Sequence, residues 1–186
     1  MDQPVTATAA HLAELLKAIE LAASKHRNQR RMDVDASPYI NHPLAVASLL
    51  AVDCGVHDID ILCAAVLHDT LENTQTTDAE IAGLLNSSVA DLVLEVTNDN
   101  RLPWAERRQA QIDKSLQLSH GARLIKLANI CCVLSELLMR PPADWPLQRK
   151  RDYFDWAECV VARLDGTDRR LQTRAESLLA RRDELY

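Results

Sequence analysis

In GARLIKLANICCVLSELLM, residues 121–139, the side chains of Leu124, Leu127, Cys131, Leu134 and Leu138 return at helical spacing and share one face. Most of the remaining positions are apolar as well. Such a helix belongs in the middle of a protein rather than on its surface. The Pro141-Pro142 pair stops it. Upstream, Leu12, Leu15, Leu16, Ile19, Ala22 and Ala23 keep the same spacing and predict a first helix over 8–29. Pro38 and Pro43 open the segment between, and Pro43 can sit in the first turn of a second helix, 43–53, ended by Gly55. Asp58 reads as the N-cap of a third helix, 59–72. Thr77 and Glu80 have capping-box spacing for a helix over 78–85, with Asn86 at its C-cap and Ser88 capping the next, 89–98. The polar run PWAERRQAQIDKS reads as an exposed helix. Two more, 148–164 and 168–184, flank a turn at Gly166.

Eight or so helices in 186 residues predict an all-α bundle in one domain, 1–186. Composition agrees, with 47% apolar residues and only four glycines. The net charge of −6 argues against a nucleic-acid binder but leaves room for a local basic pocket that takes a small anion. No apolar run approaches the ~18 residues of a membrane span. The N-terminal MDQPVTATAAHLAELLKAIE lacks a basic start, so no signal peptide and a cytoplasmic protein are expected. The five cysteines include no CxxC, and Cys63, Cys131 and Cys159 lie in apolar stretches, which predicts reduced, buried thiols.

Three places put metal-type ligands in unusual settings: His42 at a helix entry, His68-Asp69 after the apolar run ILCAAVL, and Asn129 inside IKLANICC. A carboxylate there needs compensation, and a cation is one way to supply it. In order, these positions resemble the H…HD…D ligand pattern of the HD-domain phosphohydrolases, an all-α family. KHRNQRR with PYINHPLAVA resembles the opening motif of the alarmone hydrolases, which remove the 3′-pyrophosphate of (p)ppGpp. AAVLHDTLENT resembles their second motif, GARLIKLAN their third, and YFDWAECVV, 153–161, a late helix of the small single-domain members. The match spans about residues 10–175. Similar animal members are reported to accept NADPH as well.

The resemblance implies that His42, His68 and Asp69 bind one divalent cation, Mn²⁺, with position 129 as the fourth ligand. It implies Glu72 as general base or water-positioning group, beside His68 on one helix face, with Asn73 next to it. Lys25, Arg27 and Arg31, with Arg30 in the same basic run, are implied to bind phosphate, as are Lys126 and Tyr153 on the later helices. Arginine's planar fork suits phosphate oxygens. His57-Asp58 is a second HD dipeptide, with Asp58 in an N-cap role.

The sequence departs from the family at four places. Asn129 and Asn73 stand where the family has Asp, Asn98 where small members often have Asp, and Val133 where Asn is common. An amide keeps the carbonyl oxygen and loses the charge, so weaker cation binding and slower turnover are expected. An alarmone-type hydrolase and a nucleotide-binding module that hydrolyses poorly differ only at this centre. A helical interaction protein would leave the spaced motifs without a role.

Overall fold

The computed structural model describes residues 9–186, and the regular structure among them is helical. The helices are α1 (Ala9–Lys25), α2 (Asn41–Ser48), α3 (Ile59–Leu67), α4 (Thr70–Asn73), α5 (Asp78–Leu84), α6 (Ser87–Val96), α7 (Trp104–Lys114), α8 (His120–Met139), α9 (Leu147–Arg163) and α10 (Arg169–Leu179). The predicted helix start at residue 8, and part of the N-terminal stretch read for a signal, lie outside the described residues.

Helix α8 is the centre of the bundle, as its sequence requires. Leu124, Ile125, Leu127, Ala128, Ile130, Cys131 and Leu134 are buried. It packs on α2, α3, α6, α9 and α10. Helix α3 is the other core element, buried without interruption from Ile61 to Leu67. The two helices meet closely at Gly121, where a Cβ would lie 2.9 Å from Leu92 Cδ2 and 3.2 Å from Ile61 Cγ1. Gly55 and Gly166 take positive φ of 67° and 78° in the two turns expected of them.

Several boundaries differ from the sequence reading, each for a local reason. Helix α1 ends at Lys25, not 29, because the chain folds into a clasp: Tyr39 N donates to the Gln29 carbonyl and Arg31 N to that of Ser37. Helix α2 starts at Asn41, with Pro43 inside its first turn, and runs into a π-turn over Leu49–Asp53. The helix predicted over 59–72 is broken at His68-Asp69. His68 Nδ1 donates to the Ala65 carbonyl at 2.8 Å and Thr70 Oγ1 to that of Leu67 at 2.7 Å. These side chains satisfy the last carbonyls of α3 in place of the next turn. Asn86 caps α6 through Val89 N rather than ending α5, so Ser88 lies inside the helix. Asp58, Thr77 and Asp168 are N-caps, the first two as expected. Cys63 and Cys131 are buried, but Cys159 is exposed, on the outer side of α9.

Candidate metal centre and substrate cavity

The end of α3, the start of α2 and the middle of α8 converge on one cluster. Ligand atoms of His42, His68 and Asp69 lie within 4.8 Å of one another. Both imidazoles are buried and meet edge-on, their ring centres 5.4 Å apart. Each ring is fastened through Nδ1. His68 donates to the Ala65 carbonyl, and His42 to Glu136 Oε1 at 3.4 Å. That fixes the tautomers and leaves both Nε2 lone pairs free, the usual preparation of a histidine ligand. Asp69 Oδ2 accepts from the Tyr39 hydroxyl at 2.6 Å and lies 3.3 Å from His68 Nε2.

Asn129 lies seven residues before Glu136 on α8, hence on the same helix face. Its Oδ1 is buried with no hydrogen-bond partner among the described residues, and so is His68 Nε2. Buried polar atoms in native proteins are paired with few exceptions. An orphaned His68 Nε2 among imidazole and carboxylate groups fits a divalent cation. His42, His68 and Asp69 could hold it, and Asn129 could add a carbonyl oxygen.

Charge in the cluster is set by neighbours as well as by depth. Burial pushes the His68 pKa down, which keeps the ring neutral. Burial alone would raise Asp69, but His68, His42 and the Tyr39 hydroxyl outweigh it and hold the carboxylate low. Glu136 is held low in the same way by His42 and Arg31, against its burial. Glu72 behaves differently: burial raises its pKa, Asp69 adds to this, and two hydrogen bonds from Asn98 to Oε2 only moderate it. Glu72 stands on α4, beyond the break, so it does not share a continuous helix with His68 as the sequence reading had it. Asn73 is exposed, and its Nδ2 donates to the Tyr39 hydroxyl at 3.3 Å.

A cavity of about 480 Å³ opens beside His42, lined by Arg30, Arg31, Tyr39, Val133, Glu136 and Trp145 among others. Arg31 is ion-paired with Glu136 and lies over the Tyr39 ring, 5.5 Å from its centre. Lys126 is buried on α8 and donates to Gln111 Oε1 at 3.0 Å. Burial depresses it to about 8, with Glu72 pulling the other way. Tyr153 is buried beside Trp156. Of the other candidates, Lys25 pairs with Glu80 at 2.8 Å and Arg27 is exposed; neither lines the cavity. Sequence reasoning passed over Tyr39 and Glu136, which fasten Asp69 and His42. Their signal lay in motifs already singled out, Tyr39 in PYINHP and Glu136 two turns after Asn129.

Fold and cluster together define a class, and the chain belongs to the HD domain family, whose pattern matches residues 18–139. Among its relatives is guanosine-3′,5′-bis(diphosphate) 3′-pyrophosphohydrolase MESH1 of Homo sapiens, 44% identical over 170 residues, which are 91% of this chain and 95% of that protein. The Drosophila melanogaster protein of the same name is 36% identical over the same shares of each chain. A solved structure described as a metazoan ortholog of SpoT that hydrolyzes ppGpp superposes with a TM-score of 0.89 at 36% identity, covering 93% of this chain and 97% of that one. No helix among the described residues is long and apolar enough to cross a membrane.

Proposed function

We propose that this chain is a cation-dependent (p)ppGpp 3′-pyrophosphohydrolase, working as one domain in the cytoplasm with Mn²⁺ as its cation. The observation that carries this reading is the fastened His42–His68–Asp69 cluster beside an arginine-lined cavity. Kinship with proteins named for that hydrolysis supports the substrate.

His42, His68 and Asp69 would hold a divalent cation, with Asn129 able to add its carbonyl oxygen, and the cation would supply Lewis acidity for hydrolysis at phosphorus. The chain's own groups do the rest. Glu72, with its raised pKa, takes or positions the proton of the attacking water. Asn98 orients the Glu72 carboxylate through Oε2. Asn73 holds the Tyr39 hydroxyl, which aligns Asp69. Arg31 and Lys126 bind phosphate oxygens, Lys25 and Arg27 add long-range positive potential, and Tyr153 backs the phosphate side of the site.

The test is release of pyrophosphate from ppGpp by the purified chain at saturating Mn²⁺, with pppGpp and NADPH run in parallel. Slow turnover of ppGpp, abolished in His68→Ala, is expected. No turnover of any of the three overturns the hydrolase reading, and turnover of NADPH alone overturns the substrate.

A further inference from the structure

Arg108, on the inner side of α7, was singled out neither by the sequence nor by the cluster. Its guanidinium carbon lies 4.2 Å from the ring centre of Trp156, 4.8 Å from Tyr153 and 5.4 Å from Trp104. All three rings meet the guanidinium through their faces, and such cation–π contacts leave its N–H donors free to bond elsewhere. Among the described residues nothing accepts from them. The acid one turn from Trp156, Asp152, accepts from Gln148 instead, at 2.8 Å. Neighbouring cations are otherwise employed: Arg107 donates to the carbonyls of Asn100 and Leu102, and Arg149 stacks on Trp145 at 4.1 Å. Burial depresses the Arg108 pKa, with Arg149 and Arg107 adding to this and Tyr153 and Asp152 opposing it. The fold thus holds a half-buried cation whose N–H donors are bonded to no acid among the described residues.

Lys126 meets the same ring, its Nζ 5.6 Å from the centre of Trp156. Lys126 also feels Glu72 and Asp69, so the two cations share a wall that reaches the metal-type cluster. Cation–π contacts use the charge of Arg108 but none of its N–H donors, and that free fork of donors suits phosphate oxygens. We propose that Arg108, cradled by Trp104, Tyr153 and Trp156 and seconded by Lys126, seats the pyrophosphate group of the substrate and of the released product. The assignment rests on the hydrolase reading given above and names the residues that hold the departing group.

The test compares the full chain with Arg108→Gln and Arg108→Lys at fixed, saturating Mn²⁺. Binding of inorganic pyrophosphate and of GDP is measured by calorimetry, ppGpp turnover by initial rates, and folding by thermal unfolding. In Arg108→Gln, pyrophosphate affinity falls about 10–100-fold and KM for ppGpp rises, while GDP affinity changes little. Arg108→Lys, with the charge kept and the fork lost, recovers part of the loss. Unchanged pyrophosphate affinity in Arg108→Gln overturns the proposal, as does a loss confined to GDP. If Arg108→Gln does not fold, unaltered pyrophosphate affinity in Arg108→Lys overturns it equally. A wild-type chain that binds pyrophosphate through Arg108 yet turns over no ppGpp sinks the hydrolase reading and leaves this anion seat standing.

Discussion

Arg31 reaches the metal-type cluster through Glu136 and Arg108 stands beside Lys126, and the fold holds the two by opposite means. Arg31 rises from the clasp before α2 and is neutralised by Glu136, the same carboxylate that fastens His42. Arg108 comes from α7, lies over three rings, and forms no ion pair among the described residues. A carboxylate partner stabilises a cation in the empty site but must give it up, at least in part, when an anion arrives. Aromatic faces hold a cation in place and leave every donor available. The Arg31 wall is therefore coupled to the metal ligands through Glu136, and Arg108 keeps its donors free for an anion.

The sharpest way to break this contrast is Glu136→Gln. Loss of the carboxylate behind His42 should weaken Mn²⁺ binding about 10–100-fold in a metal titration, whereas Arg108→Gln should leave it unchanged. Equal effects of the two variants would dissolve the distinction between the walls. The reverse change at the cluster is Asn129→Asp, which restores a charged ligand and should tighten Mn²⁺ binding at least about tenfold. Equal affinities would reject Asn129 as a ligand position.

The Lys126 wall carries a pH signature that the Arg31 wall lacks. Lys126 is charged below about 8 and neutral above it, so pyrophosphate affinity should fall about five- to tenfold as pH rises through that value. Lys126→Met should remove the pH dependence. The same depressed pKa means that the unfolded chain binds this proton more tightly. Stability to denaturant should therefore rise with pH from about 8 towards 10.5 in the native chain and not in Lys126→Met. The smallest effect belongs to Trp104, which is 53% exposed. Trp104→Ala should weaken pyrophosphate binding about two- to fivefold, as one exposed cation–π contact warrants.

The sequence exposed most of the helices because apolar periodicity in 59–67 and 121–139 is continuous, and caps such as Asp58 and Thr77 act over three residues. The break at His68-Asp69 was hidden for a related reason. Apolar spacing runs on past it, while what stops the helix is two side chains turning back to the Ala65 and Leu67 carbonyls. His42, His68 and Asp69 were legible as a set from their motifs, and the structure brings those three together. Arg108 was not. Helix α7 has a polar sequence and reads as a surface helix, and so it is, with no fully buried residue. Only its packing against α9 turns Arg108 onto Tyr153 and Trp156, and no local pattern encodes a contact over that separation.

Helix α3 ends in His68-Asp69, and its residues from Ile61 to Leu67 are shielded on every side. The amides of such a segment exchange with solvent only when the whole molecule opens, whereas loops and outer helices open piecemeal. Two of the cation's candidate ligands thus follow directly on a helix buried from Ile61 to Leu67. Fraying of α3 is therefore no route by which a cation leaves, and any cation held there adds its own binding term to the stability of this unit.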